Sequence, residues 1–231
     1  MTNSVGNFDD FSEAYGSTLS NALGMFGGEN SYYTNRKVEI FANKTNNPDS
    51  ARILDFGCGV GLLANVLIQM YPKAEVWGTD VSLESIKVAK TNNPSMLVAI
   101  DDELPIGYFD FVVISNVLHH ISPASRSDTY LRLATLLRSG GSIVIFEHNR
   151  LNPITRKIVD RCEFDVGVEL LSRGSCIRAL NDSGLGSEVK SGYFLFFPPV
   201  LKKLRHLECL LSKLPGGAQF WITAKKSDIQ Q

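Results

Sequence analysis

Cysteine is scarce in this chain. There are four in 231 residues, Cys58, Cys162, Cys176 and Cys209, and no two form a Cys-x-x-Cys pair, which argues against a zinc site or a disulfide framework and fits a reducing cytoplasm. Excess charge of one sign is also lacking: 23 Lys and Arg face 24 Asp and Glu, for a net charge of −1. Nothing here attracts nucleic acid in general. Long apolar runs are missing too. The most apolar later stretch, Tyr193 to Leu201, is short and broken by Pro198 and Pro199, so it does not span a bilayer. The opening, Met1 to Asp10, is polar and acidic, without the basic and apolar regions of a secretory signal. No internal repeat or low-complexity tract occurs. The remaining composition, 44% hydrophobic and 20% charged, is ordinary for a globular protein, and the length suits one domain carrying insertions.

The chain is organised around Ile53-Leu54-Asp55-Phe56-Gly57-Cys58-Gly59-Val60-Gly61. Arg52 to Asp55 reads as a short buried strand and Leu62 to Met70 as an apolar helix, which puts the glycines in the turn between them. Without a Cβ, the backbone there reaches unusual dihedrals and lets a ligand approach the main chain. The helix start adds unpaired amides. Two nucleotide loops are excluded by spacing. A Walker loop needs Gly-Lys-Ser/Thr, and a dinucleotide fingerprint needs a glycine where Leu62 stands. Asp80 follows roughly 20 residues after the turn, at the end of a second strand (Ala74 to Thr79), where a carboxylate accepts hydrogen bonds from both ribose hydroxyls. Ser82 caps the next helix.

The turn resembles the first motif of the class I S-adenosylmethionine-dependent methyltransferases, an acidic residue two before Gly-x-Gly-x-Gly, with Asp55, Gly57, Gly59 and Gly61 matching in place. The resemblance implies a three-layer α/β sandwich, a Rossmann-like mixed sheet of seven strands with the last antiparallel. It implies S-adenosylmethionine as cofactor and S-adenosylhomocysteine as product. On this resemblance the cofactor site comprises Asp55, Gly57, Cys58, Gly59, Gly61, Asp80 and Val81, with Asp101 at the adenine and Ser115 at the end of the fourth strand. Phe8 to Tyr15 is similar to an opening found in many small-molecule methyltransferases, which would set Tyr15 near the methyl group within a cap segment, 1–46. The chain from Glu147 through Asn152-Pro153 to Val159 resembles a poorly characterised bacterial subgroup of the family.

Further elements follow from periodicity: a helix in Ser31 to Lys44, strands at Met96 to Ile100, Phe109 to Asn116 and Ser142 to Phe146, and a helix from Pro123 to Arg138. A helix from Ser172 to Ser183 closes at Gly184, and strands at Glu188 to Phe197 and Ala218 to Ala224 complete the sheet. Insertions at 149–171 and 198–217 fall on the substrate side. After the fourth strand come His119 and His120. A neutral imidazole there can act as general base, His120 first. The fifth strand ends in Glu147-His148-Asn149, where Glu147 is a further base candidate and His148 and Asn149 are placed to orient an acceptor. A metal is not expected, since Glu147 and His148 lack a matching ligand elsewhere.

Val200, Leu204, Leu207, Leu211 and Leu214 recur at helical spacing among Lys202, Lys203, Arg205 and Lys213, an amphipathic basic helix. Three readings stay open for 199–214: a packing or lid helix, a dimer contact between monomers, or a surface that meets membrane or a lipid-linked acceptor. The expected activity is methyl transfer to a small-molecule or lipid-like acceptor, at oxygen first. Nitrogen or carbon transfer, and a non-catalytic cofactor-binding partner or sensor, are the alternatives. A nucleic-acid methyltransferase is disfavoured by the lack of an Asn-Pro-Pro-Tyr-type motif and of an added basic domain.

Overall fold

The computed structural model describes residues 30–46, 48–162, 165 and 167–227. Tyr15 and its segment lie outside the described residues. In chain order the main elements are α1 (Asn30–Lys44), β1 (Arg52–Phe56), α2 (Leu62–Met70), β2 (Glu75–Thr79), α3 (Leu83–Asn92), β3 (Leu97–Val98) and β4 (Phe109–Ser115). Then follow α4 (Arg126–Leu136), β5 (Leu137–His148), α5 (Pro153–Val159), α6 (Arg173–Asp182), β6 (Ser187–Phe194), α7 (Glu208–Leu211) and β7 (Gln219–Lys225).

One sheet of seven strands runs in the order β3-β2-β1-β4-β5-β7-β6. β7 is antiparallel to both β5 and β6, and the remaining pairings are parallel. Successive residues of the central strands feed opposite cores, as expected of strands covered on both faces. Ile53, Phe111, Val113 and Val144 join Val38, Phe41 and Leu67 on one face. Leu54, Val112, Ile114 and Ile143 join Leu133 and Leu180 on the other. The helices cover both faces, completing three layers. Their ends use the residues that the sequence supplies: Ser82 Oγ accepts the Ser85 N–H, Ser172 and Ser175 form a reciprocal capping box, and Gly184 adopts φ +77° just past α6.

Several elements differ from the sequence expectation. β3 has two residues rather than five. α4 stops at Leu136, because Leu137 is already extended and starts β5. Ser139-Gly140-Gly141 therefore lies inside β5, where the pairing with β4 shifts register between Phe109 and Phe111. A Cβ on Gly141 would stand 3.0 Å from the carbonyl oxygens of Arg138 and Phe109, so a side chain there would crowd the backbone at that irregularity.

The amphipathic helix expected over 199–214 is not one helix. Pro199–Leu207 is a 3₁₀ segment kinked at Leu201 (φ −106°, ψ 23°), followed by the four-residue α7. Two contacts hold this bend. The buried Glu208 carboxylate accepts the N–H groups of Phe196 (2.9 Å) and Phe197 (3.3 Å), and the Arg205 guanidinium lies 3.4 Å from the Tyr32 ring centre. The apolar stripe stays at the surface, with Val200 87% and Leu214 55% exposed, so it is not a core-packing helix. No helix among the described residues is long and apolar enough to cross a membrane.

Candidate active site

β1 and β4 are neighbours in the sheet, yet the chain leaves β1 toward β2 and β4 toward β5, so their carboxyl ends form the switch point where open α/β sheets bind ligands. A cavity of about 950 Å³ opens there, at the upper end of the roughly 300–1,000 Å³ usual for ligand sites. Its wall includes Asp55, Gly57, Cys58 and Gly59 from the turn, with Asp80 and Val81 after β2. Asp101, Ser115, His119, His120 and His148 line it as well.

The turn is built as its sequence requires. Gly57, Gly59 and Gly61 take φ of +74°, +51° and +81°, the left-handed region that favours glycine. A Cβ on Gly57 would stand 2.5 Å from Val117 Cγ2, so this glycine lets the turn meet the loop after β4. Gly61 does not line the cavity. A Cβ there would meet Asn93 Nδ2 at 2.5 Å, and its task is the close packing of α2 on the end of α3. Asp80 locks the arrangement, accepting the Gly59 N–H at 2.8 Å and the Ser82 N–H at 3.0 Å. Asp101, expected at the adenine, accepts a hydrogen bond from Arg132 Nε at 3.1 Å while remaining on the cavity wall.

Burial and the neighbouring Asp80 push the Asp55 carboxyl up to about 7 from 3.8. Because the folded protein holds this proton and the unfolded chain does not, its stabilising effect is complete below the ordinary aspartate range and fades as pH rises through 7. Wild type is expected to lose about 2 kcal/mol relative to Asp55→Asn between pH 5 and 7.5. Thermal melts of both proteins across that window check this. The window stays below the range of Lys37, which burial lowers to about 8 and which acts in the opposite direction.

Lys37 itself escaped the sequence reading. It projects from α1 and donates from Nζ to Ser115 Oγ at 2.7 Å. The signal was present: Tyr33, Lys37 and Phe41 are spaced by four, so the lysine falls on the stripe that faces the sheet.

The second wall is the segment after β4. Asn116 takes φ +57° and Leu118–His120 forms a single 3₁₀ turn. Glu147, fully buried at the end of β5, clamps this segment: its carboxylate accepts the N–H groups of Val117 (3.1 Å) and Leu118 (2.8 Å) and meets His119 Nδ1 at 2.7 Å. Glu147 does not line the cavity, so the expectation that it serves as a base is corrected to a positioning role. Burial opposes the charge on both partners, yet their mutual attraction prevails, raising His119 and lowering Glu147. Burial together with the His119 charge pushes His120 and His148 down to about 4, which leaves both imidazoles neutral at pH 7.

Asn149, expected to orient an acceptor, turns elsewhere. Its amide donates to the carbonyls of Pro215 (2.9 Å) and Gly217 (2.8 Å) and accepts the Leu151 N–H at 3.0 Å. Those bonds satisfy the whole side chain and tie β5 to the start of β7. Asp165 had no sequence signal, lying in the insertion. Its Oδ1 stands 3.3 Å from both His119 Nε2 and His120 Nε2.

A family model described as a methyltransferase domain matches residues 53–141. Over 123 residues, 50% of this chain, the sequence is 32% identical to a ubiquinone biosynthesis O-methyltransferase of Bradyrhizobium sp. (strain ORS 278), covering 47% of that protein. It is 27% identical over 126 residues, 53% of the chain, to a ribosomal protein L11 methyltransferase of Paraburkholderia phytofirmans (strain DSM 17436 / LMG 22146 / PsJN), covering 40% of it. The matched stretch thus spans less than half of either curated relative. The crystal structure of a SAM dependent methyltransferase from Archaeoglobus fulgidus superposes with a TM-score of 0.68 at 19% identity, covering 88% of this chain and 97% of that one, a likeness of fold. The methyltransferase-domain match begins in β1 and ends inside β5, so the part of the chain that is similar to that family is the part that builds the glycine turn, Asp80 and the loop after β4.

Proposed function

We propose that this protein transfers the methyl group of S-adenosylmethionine to a hydroxyl oxygen of a small or lipid-like acceptor. The observation that carries this is a single cavity walled on one side by the glycine turn and Asp80 and on the other by His119, His120 and His148. The residues fit the cofactor. Asp80 stands where the ribose hydroxyls would be held. Asp55 Oδ2 and Asn116 Oδ1 are buried acceptors on the cavity wall with no hydrogen-bond partner among the described residues, an arrangement that an ammonium group would satisfy. When bound, S-adenosylmethionine supplies an electrophilic sulfonium methyl.

The chain's own contribution is to align the acceptor, exclude water and take up the hydroxyl proton. His120 is the first candidate for that proton, and His148 lines the same wall. The exposed stripe of Val200, Leu204 and Leu207 continues from Phe196, Phe197 and Pro198 on the cavity wall, which favours an apolar acceptor over a polar one. Residues 1–231 act in this reading as one domain, with 1–46 covering the cofactor and 149–171 and 198–217 shaping the acceptor side. The free cysteines agree with a cytoplasmic setting.

The test is S-adenosylhomocysteine release across a panel of phenols, alcohols and amines, alkylated and not, with wild type and His120→Ala. Turnover of a hydroxyl acceptor that falls 10²- to 10⁴-fold in the variant, with cofactor affinity unchanged, is the expected result. Turnover of amines alone, surviving the substitution, would replace oxygen transfer by nitrogen transfer. Cofactor binding without product from any acceptor would favour a sensor or partner role.

A further inference from the structure

We infer that His119, His120 and Asp165 form a binding site for one divalent transition-metal ion, which opens onto the acceptor side of the cavity. Three donor atoms, one from each residue, lie within 4.8 Å of one another. Two of the separations are more specific: Asp165 Oδ1 is 3.3 Å from His119 Nε2 and 3.3 Å from His120 Nε2. Atoms bound to a common ion at about 2.1 Å stand roughly 2.9 Å apart at right angles and roughly 3.4 Å apart at tetrahedral angles. The observed spacing falls in that interval.

The surroundings agree with the donor set. A metal-binding imidazole uses one nitrogen for the ion and donates from the other to a carboxylate, which fixes its tautomer and orientation. His119 has this arrangement, with Nδ1 at 2.7 Å from the buried Glu147 carboxylate and Nε2 facing Asp165. Glu147 is held in turn by two backbone N–H groups of the same loop, so the ring is set before any ligand arrives. Two imidazoles and one carboxylate suit ions from manganese to zinc rather than calcium or magnesium. All three residues line the cavity, so the positions that they leave open face its interior, where oxygen atoms of an acceptor or water would complete the coordination. The sequence expectation of no metal concerns Glu147 and His148; the residues that come together are instead His119, His120 and Asp165, the last brought from 46 residues beyond His119.

This inference deepens the proposed function, and its role rests on that reading: an ion here would hold an acceptor through neighbouring oxygen atoms and ease loss of the hydroxyl proton as a Lewis acid. With the ion bound, His120 would serve as ligand and the ion would do what the imidazole does in its absence.

The experiment is calorimetric titration of chelator-treated full-length protein with Zn(II) and Co(II), following the Co(II) absorption bands, alongside Asp165→Asn and His120→Gln. One ion per chain is expected, with affinity at least tenfold weaker in each folded variant and a rise in the melting temperature of wild type on binding. S-adenosylhomocysteine is titrated into the same sample. Wild type that binds S-adenosylhomocysteine but takes up no stoichiometric metal overturns the metal site and leaves the methyltransferase reading standing. Metal binding without S-adenosylhomocysteine binding supports the site and counts against that reading. Binding that is equal in wild type and both variants overturns the site, and if one variant fails to fold the other decides.

Discussion

Replacing Asp80 by alanine is expected to weaken S-adenosylmethionine binding by at least 100-fold. In the cofactor complex one carboxylate would accept both ribose hydroxyls, and hydrogen bonds to a charged group contribute about 1.5–3 kcal/mol each. Losing two corresponds to at least about 3 kcal/mol, or more than two powers of ten in affinity. The substitution also removes an internal brace, since the same carboxylate accepts the N–H groups of Gly59 and Ser82. Asp80→Asn is a milder change: its single amide oxygen can keep one of the two N–H bonds, which go to different carboxylate oxygens, and accepts the ribose hydroxyls without a charge, so an intermediate loss is expected. Calorimetry with cofactor and product checks both variants, with melting curves to establish that each is folded. Undiminished affinity in Asp80→Ala would mean that the ribose lies elsewhere.

The largest effect on stability is expected from Glu147→Ala. The carboxylate is fully buried and is the common partner of His119 Nδ1 and of two backbone N–H groups. Removing it leaves the Val117 and Leu118 N–H groups and His119 Nδ1 without their acceptor, and the His119 imidazolium with Asp165 alone as charge partner. Breaking a buried pair in this way costs about 3–5 kcal/mol, which in a domain of this size lowers the melting temperature by roughly 10 °C. Glu147→Gln keeps an acceptor oxygen but not the charge and should fall between wild type and alanine. A shift of less than about 2 °C in the alanine variant would show that the histidine loop is held by other contacts.

The role of Glu147 illustrates how the site divides between what was legible and what was not. Its position at the end of a central strand, beside the ligand edge, was plain from the apolar run before it. Its chemistry was not, because whether a carboxylate faces a cavity or the back of a neighbouring loop depends on where Val117, Leu118 and His119 come to lie. Asn149 repeats the lesson. An amide beside the predicted site looked like an acceptor contact, yet Pro215 and Gly217, more than sixty residues on, take both of its donor hydrogens. Lys37 was legible in principle, since a lysine on the buried stripe of a helix is an anomaly that asks for a partner, and the partner proved to be Ser115. Asp165 was not legible at all, because a single acid in an irregular insertion carries no periodicity.

By itself the sequence determined the strand, glycine turn and helix around Asp55 to Gly61, the carboxylate at the end of β2, the helix caps at Ser82 and Ser172, and the alternation that feeds two cores. These depend on residues within a turn or two of one another, whose sterics and hydrogen bonds act before any long-range contact forms. Only the tertiary structure decided that His119 and His120 meet Asp165, that Glu147 clamps rather than reacts, and that the stripe after Pro199 bends instead of forming one helix. Each of these rests on a buried charge or amide finding its partner across the fold. The cost of leaving such a group unpaired exceeds a residue's local preference by several fold, so the distant partner determines the outcome.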